Sequence, residues 1–187
     1  MTERTDNEIE YLSTLLSKLN ALSTFLQDEP LPSHETTLPE WHTFLSTMKS
    51  ILGHLSNDMS FIAGLMAKDY LCSSLPLRDF DVAAKPQGAP GLDIDELTLD
   101  GRRVVAEIKT TTPYKIADLG AQQRTSFEKD FAKLNAANAE LKYFFLTDKA
   151  AFAVVKQKYR SRIPNVTVVL LPQGDDLQPL PPTIDSA

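Results

Sequence analysis

Residues 90–114 read PGLDIDELTLDGRRVVAEIKTTTPY, and this stretch decides the fold. Asp100-Gly101 is a strong hairpin signal, and it lies between two runs of strand-forming residues, Leu92–Leu99 and Arg103–Thr111. The second run is almost continuously apolar in its middle, which is typical of a strand that is buried on both faces of a sheet. We therefore predict an antiparallel hairpin whose second strand is central in the sheet.

Four charged residues interrupt these apolar strands: Asp93 and Asp95 on the first, Glu107 and Lys109 on the second. Side chains alternate along a strand, so each pair shares one face of the sheet. Carboxylates that converge from adjacent strands form a hard-oxygen ligand set, which suits Mg²⁺ or Mn²⁺ better than zinc. Lys109 would point to the same place and could hold a water or balance charge on a phosphate oxygen. We predict a metal site here; the alternative is an exposed hairpin with surface charges.

The register of the hairpin decides whether the acids meet. A two-residue turn at Asp100-Gly101 would pair Asp93 with Ile108 and leave Glu107 on the wrong face. A three-residue loop, Leu99–Gly101, with Gly101 in the left-handed conformation, pairs Asp93 directly with Glu107. We predict the three-residue loop or an equivalent bulge.

The rest of the chain predicts an α/β protein with a mixed sheet flanked by helices. We expect an N-terminal helical extension (1–56), a core (57–172) and a Pro-rich flexible tail (173–187). The element order is three helices, three strands, and then helix, strand, helix, strand. The predicted elements are helices at 8–28, about 44–55 and from about 57, strands at Phe80–Ala83, Leu92–Leu99 and Arg103–Thr111, a helix at Ala121–Ala139, a strand at Tyr143–Leu146, a helix at Lys149–Tyr159 and a strand at Val166–Leu171.

The composition of the 187 residues is that of an ordinary globular protein, with 42% hydrophobic and 24% charged residues. The formal net charge of -6 argues against a general nucleic-acid coat, but it allows acids gathered around a metal. No apolar run is long enough for a membrane span, and a single cysteine, Cys72, cannot form an internal disulfide. We expect a cytoplasmic protein without a membrane partner.

A family resemblance rests on the same stretch. Gly91-Leu92-Asp93, followed by Glu107-Ile108-Lys109 on a hydrophobic strand, resembles the PD-(D/E)xK nuclease superfamily, which includes restriction endonucleases, Holliday-junction resolvases and RecB-type nucleases. The resemblance implies a restriction-endonuclease-like αβββαβ core over the last two-thirds of the chain. Pro90 stands three residues before Asp93, a displaced form of the motif proline. VVAEIKTT followed by LGAQQ (119–123) is similar to restriction-type members in particular.

The resemblance implies a role for each matching residue. Asp93 and Glu107 would bind Mg²⁺, for which Mn²⁺ could substitute, and the carbonyl of Ile108 would complete the metal shell. Lys109 would orient the attacking water and stabilise the phosphate. Asp95 is a candidate second-metal or outer ligand, although a solvent-facing acid on a strand edge explains it equally well.

Five further residues are supporting candidates. Thr110, Thr111 and Lys115 leave the lysine strand and are of the types that contact phosphates, but a plain polar loop is the alternative. Gln123 stands at the start of the next helix, whose N-terminus favours an anion. Asp58 is similar in position to an acid in the first core helix of some superfamily members, or else it is a first-turn acid.

These expectations converge on an Mg²⁺-dependent DNA endonuclease, in the first place a type II restriction enzyme that cuts double-stranded DNA as a homodimer. A repair, recombination or mobile-element nuclease of the same fold is the nearest alternative. A catalytically inactive nucleic-acid-binding or scaffold protein is a third.

Overall fold

The computed structural model, which describes residues 2–78, 80–85, 89–114 and 118–180, contains a five-stranded mixed sheet. The predicted α/β class, with helices flanking a mixed sheet, is confirmed. The chain divides into two compact units, Glu3–Met59 and a second that begins at Ser60. The helices are α1 (Asp6–Asp28), α2 (Leu38–Leu52), α3 (Leu55–Ser74), α4 (Ala121–Ala136) and α5 (Lys149–Val154), and the strands are β1 (Ile94–Leu97), β2 (Arg103–Lys109), β3 (Leu141–Leu146), β4 (Thr167–Leu170) and β5 (Asp175–Leu177).

The strands follow one another across the sheet in the order in which they occur along the chain. β1 and β2 are antiparallel, β2, β3 and β4 are parallel, and β5 returns antiparallel to β4. The two parallel crossovers carry α4 and α5. The helix predicted at Lys149–Tyr159 forms as α5, continued by a π-helical turn at Val155–Tyr159.

Each face of the sheet has its own apolar core. On one face, Phe144 of β3 packs against the rings of Phe127 and Phe131 of α4, with ring centroids 5.7 and 5.2 Å apart. On the other face, Ala67 and Leu71 of α3 pack on the sheet. Because β2 lies between these layers, its residues from Val104 to Glu107 are all buried.

The strand predicted at Phe80–Ala83 does not form. The Asp81 side chain accepts a hydrogen bond from the Ala83 amide (2.8 Å), and the Asp81 carbonyl accepts one from Ala84 (3.2 Å), so this segment turns. The edge of β1 is instead met by an isolated bridge between Leu77 and Thr98. The expected three-strand meander is therefore a two-stranded hairpin with a one-residue bridge.

Part of the tail predicted to be flexible is ordered as β5. Gly174, at φ +73°, lies in the tight turn that follows Leu171, and its amide donates to the Leu170 carbonyl (2.8 Å). Asp176 of β5 accepts a hydrogen bond from Tyr70 on α3 (3.0 Å). The last part of the predicted tail, 181–187, lies outside the described residues.

Within the N-terminal unit, α1 packs on α2, and the rings of Phe25 and Phe44 lie 4.9 Å apart. α1 begins at a capping box, in which Thr5 and Glu8 each accept a hydrogen bond from the other's backbone amide (both 3.2 Å). Across the described ranges, the helices are too short or too polar to cross a membrane.

Candidate active site

The hairpin register brings Asp93 opposite Glu107. Ile94 pairs with Ala106, so the preceding residue, Asp93, aligns with Glu107. The predicted three-residue loop is present, with Gly101 at φ +87° and the Thr98 amide donating to the Arg102 carbonyl (2.9 Å). The carboxylate of Asp93 reaches across to β2 and accepts a hydrogen bond from the Ile108 amide (2.8 Å).

Glu107 and Lys109 point to the face of the sheet that α4 covers, the same face as the buried Val105. α4 contributes two charged residues to this place, Asp130 and Lys133. Asp130 is buried, and it lies on the same helical stripe as Phe127, Phe131 and Leu134.

The charges form two ion pairs. Lys133 Nζ lies 2.9 Å from Glu107 Oε1, and Lys109 Nζ lies 2.6 Å from Asp130 Oδ2. Lys109 also donates to Ser126 Oγ (3.0 Å), and Lys133 lies 3.6 Å from the other oxygen of Asp130. The Glu107 side chain is 2% exposed, so it is the buried acid in a central strand that the sequence predicts, and Lys133 is its partner.

Glu107 has a strongly perturbed acidity. Its pKa is raised from 4.5 to about 7, chiefly by burial; the negative charges of Asp93 and Asp130 add to the rise, and the hydrogen bond and charge of Lys133 oppose it. Partial burial opposes the charged form of Lys133, but the hydrogen bond and charge of Glu107 outweigh it and raise the pKa of Lys133. The cluster is therefore short of positive charge around Glu107.

Asp93, Glu107 and Lys109 line one cavity of about 590 Å³, together with Asp130 and Lys133. The charged residues among its described lining are six acids and three lysines. They are Asp81, Asp93, Asp95, Glu96, Glu107, Asp130, Lys85, Lys109 and Lys133. An anionic substrate would meet a net negative surface in this cavity unless a cation were bound there.

Two other candidates from the hairpin have different environments. Asp95 is held by Arg103, whose Nε and guanidinium NH2 donate to its two oxygens (both 2.7 Å), and this contact lowers the pKa of the Asp95 carboxyl. Asp95 is thus engaged in a bidentate ion pair, which favours the alternative of an exposed acid on a strand edge over that of a metal ligand. Ile108 lines the cavity, between the two charged residues of β2.

Gln123 forms hydrogen bonds with the backbone of three described residues that precede α4. Its Oε1 accepts hydrogen bonds from the amides of Gly120 (3.0 Å) and Tyr114 (3.1 Å), and its Nε2 donates to the Thr112 carbonyl (2.7 Å). Gln123 is buried, at the third position of α4, where such a side chain caps the helix N-terminus. The supporting role predicted for Gln123 is therefore a structural one in the described residues.

The remaining supporting candidates lie away from the cavity lining or outside the described residues. Thr110 and Thr111 follow β2 and are half-buried, and neither is among the residues that line the cavity. Lys115 lies outside the described residues. Asp58 belongs to the N-terminal unit, where it accepts hydrogen bonds from Tyr11 and Lys18 (3.0 Å each).

Asp130 and Lys133 are residues of the site that could not be predicted from the hairpin motif. A usable signal for Asp130 exists, because it falls three residues after Phe127 and four before Leu134, on the apolar stripe of α4. An acid on an apolar stripe is the same anomaly that singles out Glu107 on β2. Lys133 carries no comparable signal in the sequence. A lysine on the partly exposed side of a helix is ordinary, and the Lys133 side chain is 43% exposed.

The described residues contain no group of three or more His, Cys, Asp and Glu side chains that is arranged to hold a metal ion. Comparisons with protein-family models, with curated proteins and with solved structures find no match to this chain.

Proposed function

We propose that this protein is a metal-dependent phosphodiester hydrolase that acts on double-stranded DNA. One observation carries the proposal: Asp93 stands opposite Glu107, with Lys109 on the same face, and all three line one cavity. Two carboxylates and one ammonium on paired strands are the arrangement that the PD-(D/E)xK resemblance implies. Within that class, a type II restriction endonuclease that works as a homodimer is our first choice.

The donor set fits magnesium. Mg²⁺ usually keeps several waters and binds one or two carboxylates plus substrate phosphate, so a site with two acids is sufficient. Asp93 and Glu107 would hold the ion, and the Ile108 carbonyl would be a further oxygen donor, as the resemblance implies. The raised pKa of Glu107 reflects burial beside Asp93 and Asp130, an environment that favours a cation. When bound, Mg²⁺ would supply Lewis-acid polarisation of the phosphate and a more acidic water.

In this proposal, Lys109 would act on the substrate. Its side chain is 18% exposed, and its ammonium is held by Asp130 and Ser126, so it would be oriented before a substrate arrives. A fixed donor in a partly buried cavity stabilises developing negative charge on a phosphate more than a mobile surface lysine would. Asp130 is then a positioning residue that holds Lys109.

A non-catalytic nucleic-acid-binding protein is a second candidate, favoured by the pairing of Glu107 with Lys133 and of Asp130 with Lys109. Acids that are permanently neutralised within the chain would not recruit a metal. The two candidates differ in whether a divalent ion is needed for the activity.

Incubation with supercoiled plasmid tests the proposal. The wild-type protein is expected to nick or linearise the plasmid with Mg²⁺ or Mn²⁺ and not with EDTA, and discrete fragments rather than a smear would indicate restriction. Asp93→Asn and Lys109→Met should each lower the rate at least about 100-fold. Lys129→Met, an exposed lysine on α4, is the matched control and should cut normally. Folded protein that binds DNA but does not cut it with either metal would support the non-catalytic candidate.

A further inference from the structure

The Lys133 ammonium lies among oxygens from three separate segments of the described chain. It is 2.9 Å from Glu107 Oε1 on β2, 3.0 Å from the Gly91 carbonyl before β1, and 3.6 Å from Asp130 Oδ1 on α4. Oxygens that converge on one positive charge are the surroundings that a bound cation has. Lys133 therefore takes the position of a cation beside the buried acid.

We propose that Lys133 is an internal counter-ion that a divalent metal ion displaces from Glu107, so that lysine and metal occupy this acid alternately. The proposal rests on the proposed function, because it assumes that Asp93 and Glu107 are the ligands. It adds a regulatory role for a residue outside the Asp93, Glu107 and Lys109 motif. The site would be closed by its own lysine when metal is scarce and opened when metal binds.

Repulsion makes the two states exclusive. A divalent ion bound to Glu107 Oε1 and an ammonium bound to the same oxygen would be two cations within a few ångströms of each other in a partly buried cavity. Lys133 must then leave Glu107 when the metal enters. Losing this charge-assisted hydrogen bond weakens the apparent affinity of the wild-type protein for metal.

The two lysines of the site differ in their freedom to leave. The Lys109 side chain is 18% exposed and is held by Asp130 and Ser126, whereas the Lys133 side chain is 43% exposed. A flexible four-carbon stem at the rim can carry its ammonium into water without unpacking the core. Lys133 is therefore the releasable cation, and Lys109 is the fixed one.

The first test measures metal binding without nucleic acid. Mn²⁺ is titrated at pH 8 into the wild-type protein and into Lys133→Met, and free Mn²⁺ is followed by its electron paramagnetic resonance signal. Lys133→Met should bind Mn²⁺ about tenfold more tightly, since no hydrogen bond between charged groups is broken. Lys129→Met, on the same helix and exposed, should match the wild-type protein.

The outcomes separate this proposal from the proposed function. Equal or weaker binding by Lys133→Met, with clear binding by the wild-type protein, would overturn the displacement and leave the metal site standing. Absence of Mn²⁺ binding by every variant, including the wild type, would overturn both.

A second measurement uses the unaltered protein, so that it does not depend on the folding of a variant. Reductive methylation of lysine amines is followed by peptide mass spectrometry with and without Mn²⁺. The metal should speed the modification of Lys133 several-fold and leave exposed Lys129 unchanged. A metal-bound protein in which Lys133 reacts no faster than before would contradict its release from Glu107.

Discussion

The sharpest stability prediction concerns the buried acid of β2. Glu107→Gln should stabilise the metal-free protein, although it removes one half of an ion pair. The pKa of Glu107 is about 7 against an ordinary 4.5, a value that already includes the favourable contact with Lys133. A pKa shift of one unit corresponds to about 1.4 kcal/mol, so keeping Glu107 ionised in the folded protein costs up to about 3 kcal/mol. Solvent screening at the mouth of the cavity reduces this cost to about 2 kcal/mol.

The direction of this change in stability with pH follows from the linkage between proton binding and folding. Because the pKa is higher in the folded protein, the folded state holds a proton that the unfolded chain has already released between pH 4.5 and 7. The favourable contribution of protonated Glu107 is complete below pH 4.5 and is lost as the pH rises through 7. Glutamine resembles the protonated form at every pH, so the advantage of the variant should be greatest at pH 8 and small at pH 5.

Calorimetry in EDTA measures the effect. At pH 8, Glu107→Gln should melt roughly 4–8 °C higher than the wild-type protein, and at pH 5 the two should melt within a few degrees of each other. Intrinsic tryptophan fluorescence is unsuitable, since the single tryptophan, Trp41, lies in the N-terminal unit. Glu140→Gln is the control with opposite sign, because the Arg103 amide lowers the pKa of Glu140. A Glu107→Gln protein that melts lower than the wild type at pH 8 would refute the reasoning.

Three further substitutions test the fold around the site. Gly101→Ala should lower the free energy of unfolding by about 1 kcal/mol in chemical denaturation, because φ is +87° while an added Cβ meets nothing within 4 Å. Phe144→Ala should cost about 3–5 kcal/mol, since it opens a cavity against the two aromatic rings of α4, and loss of the calorimetric transition of the sheet unit is the readout. Gln123→Ala should cost about 1–3 kcal/mol and make the segment before α4 more sensitive to limited proteolysis, because two partly buried amides lose their acceptor. An unchanged proteolysis pattern in this variant would show that Gln123 is not what holds this segment.

The hairpin could be predicted from sequence because its determinants are local. Asp100-Gly101 specifies a turn, Gly101 supplies the positive φ, and the alternation of charged and apolar residues allows only one register to bring the acids together. The strand predicted at Phe80–Ala83 fails for an equally local reason. Its apolar residues match a strand pattern, but the Asp81 side chain bonds to the Ala83 amide and closes a turn.

β5 is missed because its sequence is that of an exposed edge. Asp175 and Asp176 are exposed, and Leu177 is the one residue of β5 that packs against the core. Gly174 is the one local sign of the turn, and it lies in a Pro-rich stretch that favours a loose tail. Pairing with β4 in the folded sheet, and not the local strand propensity, therefore determines that these residues form a strand.

The candidate site, like the fold, has some features set by local sequence and others set by contacts between distant residues. Asp93, Glu107 and Lys109 follow from one hairpin, whereas the contact between Glu107 and Lys133 joins residues 26 positions apart on a strand and a helix. Periodicity predicts α4 but does not predict which turn of the helix lies over Glu107. Sequence can thus show that a buried acid requires a partner, and the packing of α4 on β2 decides which residue that partner is.

The pairing of charges also bears on the order in which the proposed metal ion would meet its ligands. Glu107 and Asp130 each have a lysine partner, whereas the exposed Asp93 carboxylate accepts its hydrogen bond from the backbone of Ile108. A backbone amide neutralises a carboxylate less than an ammonium does, so Asp93 keeps most of its attraction for a divalent ion. The ion would therefore meet Asp93 first, and it would gain Glu107 only at the expense of Lys133. A two-step entry of this kind would keep the buried acid paired at every stage and would avoid the cost of an isolated charge in the cavity.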